Sequence, residues 1–247
     1  MAALDPGYSG DRVLAHHLVT VNGPTAELLK LLKDRAETVF VSSVTGSSNV
    51  VVESRLRTEA ELQLFLEYLR GLPRVQRVKT NRYLRVVKGF FVAEYRGDIT
   101  LDERDRQIVD LLQTDGRMNY RTIANKVNLS PSAVRARVNR MVEANVIRIS
   151  AVEERGVINS QIAIGLGISL CGPLDPVLEF LRGRPEVDFA TTCSGSFDLI
   201  VTVTAATPRV IFDFLEALRA TGLVGEISSW LHINTAKEDY ARSLREA

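Results

Sequence analysis

The chain repeats itself. Slid along itself by 149 residues, residues 21–88 fall on 170–237 without a gap, and 18 of the 68 aligned pairs are identical. Gly23-Pro24 meets Gly172-Pro173, FLEYLR at 65–70 meets FLEALR at 214–219, and Lys88 meets Lys237. Ungapped self-similarity of this length means two copies of one structural unit, so whatever fold one copy takes the other takes too. The TGSSN turn at 45–49 falls on SGSFD at 194–198, which pairs Asn49 with Asp198.

The second copy is read most easily. QIAIGLGISL at 161–170 is a β-branched apolar run, a strand. Leu174, Val177, Leu178 and Leu181 share one face of a helix. Residues 187–193 and 198–204 are strands joined at Gly195-Ser196, residues 208–220 a helix with Val210, Ile211, Phe214, Leu215 and Leu218 inward, and 223–234 a last strand. The order is β-α-β-β-α-β, the ferredoxin-like arrangement. The first copy follows it from about residue 12 to 88. A sheet with both helices on one face leaves the other face bare, and the simplest cover is a second such sheet.

Residues 101–149 belong to neither copy. Asp102 caps a helix whose apolar face holds Ile108, Val109, Leu111 and Leu112 and which Asp115-Gly116 ends. Tyr120 to Val127 is a short helix with Ile123, Ala124 and Val127 inward. Ser130-Pro131 caps and opens a third, running to about Ala144, with Val134, Val138, Met141 and Val142 inward. Val146 to Val152 alternates like the strand of a wing. These parts predict a winged helix-turn-helix. On the third helix Ser132, Ala133, Ala136, Asn139 and Arg140 point away from the core, flanked by Arg135 and Arg137. Two alanines permit close approach to a groove wall, and Ser, Asn and Arg offer donors to phosphates and base edges. Residues 115–150 carry seven basic and two acidic residues, a difference of +5 in a chain whose net charge is +1. That local excess fits contact with a polyanion backbone.

The near-neutral total points to no global polyanion partner. Cys171 and Cys193 are too few for a disulfide framework and read as thiols in a reducing compartment. The N-terminal residues lack a basic-then-apolar signal pattern, and no apolar run approaches the roughly 18–20 residues of a membrane span. A cytoplasmic protein without a membrane segment is expected. The fold class is α+β: two ferredoxin-like βαββαβ domains, 1–95 and 151–247, flanking the winged helix-turn-helix of 96–150.

LDERDRQIVDLLQTDGR at 101–117, LSPSAVRARVNRMVEANVI at 129–147 and the following βαββαβ copy with its SGSFD turn resemble the Lrp/AsnC family of transcription regulators over 101–240. The resemblance implies a DNA-binding winged helix-turn-helix. It implies a C-terminal RAM domain that dimerises and binds a small effector, typically an amino acid, at contacts between RAM domains, near the turn at Gly195 to Asp198 and the last strand at about Trp230 to His232. The 149-residue offset is then one family unit, residues 4–10 match the linker between the two domain types, and the chain resembles a tandem form without its first helix-turn-helix.

The DNA-binding candidates are Tyr120, Arg121, Ser130, Ser132, Arg135, Arg137, Asn139, Arg140 and Arg148, with Arg137 also placed to brace the fold. The effector candidates are Gly195, Ser196, Asp198, Thr202, Thr204, Trp230 and His232. An amino acid needs an acceptor for its ammonium and donors for its carboxylate; Asp198 and the turn amides supply both, and Asp198 equally suits a turn cap. Neutral Asn49 suits an ammonium less, so the first copy is expected to bind effector weakly and to serve assembly. Eight basic residues against Glu94 between Arg70 and Arg96 read as a charged edge strand or as an accessory DNA-backbone surface. One helix-turn-helix per chain implies a homodimer or higher even oligomer, so that two recognition helices meet two half-sites of duplex DNA. No metal or cofactor is expected: His16-His17 reads as strand, and Cys193 as a buried thiol. The alternatives are an enzyme like the siroheme decarboxylases, which have the same architecture, and a dimerising partner of full-length paralogues.

Overall fold

The computed structural model describes residues 2–4, 11–89, 99–149 and 161–239, without the side chains of 2–4, 148 and 149. The expected linker at 5–10 and the end of the wing beyond Ile149 lie outside them. The described residues form an α+β protein with seven helices and an eight-stranded antiparallel sheet, and divide into two compact units.

The first unit holds β1 (Ala2–Leu4), α3 (Glu103–Thr114), α4 (Tyr120–Val127), α5 (Pro131–Glu143) and β6 (Ile147–Ile149). The local chemistry of its sequence sets its helix ends. Asp102 and Asp105 form a reciprocal capping box at the start of α3, Asn119 caps α4, Asn128 takes φ 54° to end it, and Ser130 caps α5 with Pro131 in its first turn. Ile108, Val109, Leu112, Ile123, Val127, Val134, Val138 and Met141 close one core. Val142, expected inward, is instead exposed: α5 turns it just past the edge of the apolar stripe. β6 pairs antiparallel with β1.

The second unit holds both copies of the repeat. The first copy comprises β2 (Val13–Val21), α1 (Ala26–Lys33), β3 (Thr38–Val44), β4 (Val50–Leu56), α2 (Glu59–Gly71) and β5 (Val75–Lys88). The second comprises β7 (Ile162–Leu170), α6 (Leu174–Arg182), β8 (Val187–Ser194), β9 (Leu199–Ala205), α7 (Pro208–Arg219) and β10 (Val224–Glu238). Each element lies within about a residue of its partner plus 149, as the repeat requires. The strands join in the order β10-β3-β4-β2-β5-β8-β9-β7 and close on themselves.

The length of the last strands makes this closure possible. β5 pairs with β2 of its own copy from Val75 to Arg82, then continues against β8 of the other copy from Arg82 to Lys88. β10 does the same, first along β7 and then along β3, and the two junctions share one register: Tyr83 meets Cys193 as His232 meets Val44. The identical lysines belong to these junctions. Lys88 Nζ donates to the Arg184 carbonyl and Lys237 Nζ to that of Arg35, the same contact made in both directions. β5 is therefore an inner strand, which removes the edge-strand reason for its charge. Alternate residues pack under the helices in two cores, and the others face the inside of the closed sheet.

Candidate functional site

In the first unit, α5 presents Ser132, Arg135, Ala136, Asn139 and Arg140 to solvent, with Arg121 and Ser130 exposed before it. Ser130 Oγ accepts the Ala133 N–H at 3.1 Å and hydrogen-bonds the Ser132 hydroxyl, so it also fixes the entry to the helix. Tyr120 is half-buried against the core. The side chain of Arg148 lies outside the described residues.

Two of the expected DNA contacts have a structural occupation. Arg137 donates to Asp102 at 2.7 Å and to Asp105 at 2.8 Å, and Arg140 donates to Asp105 at 2.5 Å. Asp105 has no exposed surface and also accepts the Asp102 N–H. The Asp105 N–H and Arg137 hold the Asp102 carboxyl below the usual carboxylate range, while Asp102 and Asp105 raise the Arg137 guanidinium. Arg137 thus braces α5 against α3. Arg140 shares that brace and keeps an exposed side chain. Sequence reading missed Asp105, although its place three residues after the Asp102 cap is a capping-box signal.

In the second unit the expected effector residues separate. The turn of each copy sits on the last strand of the other. The Gly195 backbone, at φ 144°, approaches Thr80 and Asn81 so closely that a Cβ there would stand 2.5 Å from the Thr80 carbonyl oxygen. Asn81 is fully buried, and its Oδ1 accepts the Ser196 N–H at 2.7 Å and the Phe197 N–H at 3.2 Å. Trp230 and His232 lie instead at the other junction. Gly46 of the first turn packs on Ser229 and Trp230, and the Thr45 N–H donates to the Leu231 carbonyl. His232 Nδ1 hydrogen-bonds the Ser42 hydroxyl at 3.0 Å and its ring meets Phe40 edge-on. The Phe197 ring links the second turn to Trp230, with ring centres 6.3 Å apart. Thr202 is buried beside Gly165, and Thr204 is half-buried.

Asn49 and Asp198 do the same structural work. Asp198 accepts the Leu170 N–H at 2.8 Å, whereas Asn49 accepts the Val21 N–H at 2.7 Å and also donates to the Val21 carbonyl at 2.9 Å. Each fastens the end of its copy's first strand.

Inside the closed sheet the copies are unlike. One cross-strand row reads Asn81, His16, Glu53, Phe40; its counterpart reads Trp230, Gly165, Thr202, Phe189. The missing side chain at Gly165 leaves the room that the Trp230 ring occupies, and that ring lies 5.3 Å from His16. Burial, with His17 and His232 nearby, lowers His16 to about 3. His17 faces the helices, bonded to Thr80 and Ser54, and burial lowers it to about 3 as well. Cys193 is buried against the Phe197 carbonyl, and burial pushes its thiol up to about 12. Among the described residues no cluster suits a metal ion and no helix is long and apolar enough to cross a membrane.

A helix-turn-helix unit and a doubled βαββαβ sheet in one chain are the parts to compare with known proteins. Residues 101–142 match the AsnC-type helix-turn-helix domain and residues 17–91 the Lrp/AsnC ligand binding domain. The chain is 38% identical over 108 residues to an uncharacterized HTH-type transcriptional regulator of Pyrococcus horikoshii, covering 43% of this chain and 68% of that one. It is 32% identical over 126 residues to an HTH-type transcriptional regulator of Mycobacterium tuberculosis, covering 49% and 84%. The chain belongs to the Lrp/AsnC family of transcriptional regulators. Among solved structures, the L-methionine complex of a Neisseria meningitidis transcriptional regulator matches with TM-score 0.52 at 21% identity, over 60% of this chain and 99% of that one. The siroheme decarboxylase NirDL, in complex with an iron-uroporphyrin III analogue, matches with TM-score 0.64 at 16% identity, over 99% of this chain and 78% of that one, a likeness of fold.

Proposed function

We propose that this chain is a sequence-specific DNA-binding transcription regulator of the cytoplasm, whose grip on DNA responds to a small effector, an amino acid, held at its RAM copies. The two copies, in the segments 1–95 and 151–247, are ferredoxin-like RAM domains paired within one chain, flanking the winged helix-turn-helix of 96–150. The observation that carries the reading is the exposed face of α5. Ser132, Arg135 and Asn139 stand there beside Ala136, a donor set on a helix that can approach a groove wall closely. Arg121, Ser130 and Tyr120 before the helix extend the surface, with Arg140 serving both the brace and the DNA, and the sequence adds Arg148 to the same candidate set.

The chain carries one such helix, so two chains are needed to read two half-sites. The closed sheet already uses both long strands within the chain, so two chains meet through another surface. Light scattering with and without duplex DNA measures that stoichiometry. The experiment for the main reading is a salt titration of DNA affinity. Arg135→Ala should weaken binding and reduce the slope of log K against log salt by about 1. An unchanged slope and affinity would remove α5 from the interface.

An enzyme reading draws on the full-length likeness to a siroheme decarboxylase. Incubation with an iron tetrapyrrole tests it: a shifted Soret band favours the enzyme, and an unshifted one the regulator.

A further inference from the structure

Arg140 stands on the exposed face of α5, yet its charge is already answered from below. Its Nη2 donates to Asp105 at 2.5 Å, while Arg137 Nη1 donates to Asp102 at 2.7 Å and to Asp105 at 2.8 Å. Two arginines and two carboxylates sum to zero charge, so the group adds little to the general attraction of a phosphate backbone. Exposed Arg135, on the same helix, is the residue placed to supply that attraction. A neutralised arginine on a DNA-facing surface contributes through its position.

That position is well defined. Asp105 has no exposed surface, and it is fixed by Arg137, by the Asp102 N–H at 3.1 Å and by its own N–H, which donates to the Asp102 side chain at 2.8 Å. It therefore holds the far end of a long side chain that would otherwise sample many rotamers. Asp105 engages Nη2, and the guanidinium fork has donors left for a second anion. The Arg140 side chain remains 48% exposed, so that anion has access. Ser132, Ala136 and Arg140 follow one another at four-residue steps along the exposed face. Eight residues of helix put Arg140 about 12 Å beyond Ser132. A phosphate gripped at that distance fixes how α5 lies in a groove, and so which base edges Ser132 and Asn139 meet.

We infer that Asp105 is a positioning residue for DNA recognition: it holds the Arg140 guanidinium as a clamp for one backbone phosphate, and that clamp sets the register in which α5 reads bases. The inference rests on the α5 reading above and deepens it. Its consequence runs against simple charge counting. Removing a buried negative charge from this unit should weaken sequence discrimination, although the unit becomes more positive.

The test uses the full chain. The wild type first selects a duplex from a random pool. Fluorescence anisotropy then gives affinities for that duplex and for a scrambled one, at a temperature where circular dichroism shows each variant folded. Asp105→Ala should lower the ratio of the two affinities about fivefold, the scale of ordering one long side chain, with the loss on the selected duplex. In an Arg140→Gln background the same substitution should change the ratio less than about twofold, because Asp105 acts through Arg140. Arg140→Lys keeps the charge and loses the fork. It should leave the slope of log K against log salt unchanged and still lower the ratio about fivefold. This surface variant decides alone if Asp105→Ala does not fold. The inference is overturned if Asp105→Ala weakens both duplexes alike, if its effect persists beside Arg140→Gln, or if Arg140→Lys discriminates as the wild type does. In each of these cases a reduced salt slope in Arg135→Ala leaves the α5 reading standing. A wild type that selects no duplex would overturn both.

Discussion

Acidification should unfold the second unit through its two adjacent buried histidines. His16 lies inside the closed sheet against Trp230, and His17 beneath α2 between Ser54, Thr80 and Phe65. Both are lowered from 6.5 to about 3 by burial, so both stay neutral in the native state at any pH above about 4. In the unfolded chain they take up protons as pH falls through 6.5. The unfolded state then binds more protons than the native one, and stability present above 6.5 is lost between 6.5 and 3. From pH 7.0 to 5.5 each histidine costs about 1.3 kcal/mol and the pair about 2.5 kcal/mol, a figure set by the unfolded value alone. Ordinary carboxylates titrate mostly below this window. The single tryptophan, Trp230, is buried in this unit and reports its unfolding. With a urea dependence of about 2–3 kcal/mol per molar, the midpoint should fall by about 1 M. His17→Gln should halve the pH dependence whatever its effect on stability at pH 7. A midpoint that holds or rises at pH 5.5 would mean that a histidine is charged in the native protein, and would refute the reasoning.

Other perturbations have equally definite outcomes. Gly167→Ala would set a Cβ 2.4 Å from the Phe197 ring and should lower stability by about 1–3 kcal/mol in urea titration, whereas Gly71→Ala meets nothing within 4 Å and should stay within about 1 kcal/mol of wild type. Asp105→Ala takes the buried carboxylate from Arg140, leaves Arg137 only Asp102, and should cost the first unit about 2 kcal/mol, seen as earlier loss of helical circular dichroism, with weaker DNA binding alongside. Lys88→Met and Lys237→Met each remove one of two equivalent contacts between the copies. Each should cost about 1 kcal/mol, in equal measure, by the same urea assay.

Much of this was readable from the amino-acid sequence, for identifiable reasons. The repeat put the elements of the second copy at those of the first plus 149, because an ungapped repeat keeps every strand and helix length. The caps at Asp102 and Ser130 were legible because capping chemistry is local. The effector constellation was not. It was assembled within one copy, from Gly195 to His232, whereas the long last strands carry each turn onto the opposite copy. Asn81 therefore went unnoticed, although the repeat aligns it with Trp230, which had been singled out. The basic residues of β5 resembled an edge strand because strand position in a closed sheet depends on pairing far along the chain, which residue periodicity does not encode. Arg137 flanked the outward face of α5 and was already placed to brace the fold, whereas for Arg140, on that face, only the buried Asp105 beneath it reveals a structural part.

The central claim is that α5 reads DNA sequence. Selection of bound duplexes from a random pool by the full chain at about 0.15 M salt tests it most directly, because that salt weakens contacts made through phosphates alone. The account predicts enrichment of one motif with two half-sites about one helical turn apart, or a multiple of it, and loss of that preference in the double variant Ser132→Ala, Asn139→Ala. A pool that is retained without enrichment, or a motif unchanged in the double variant, would contradict it.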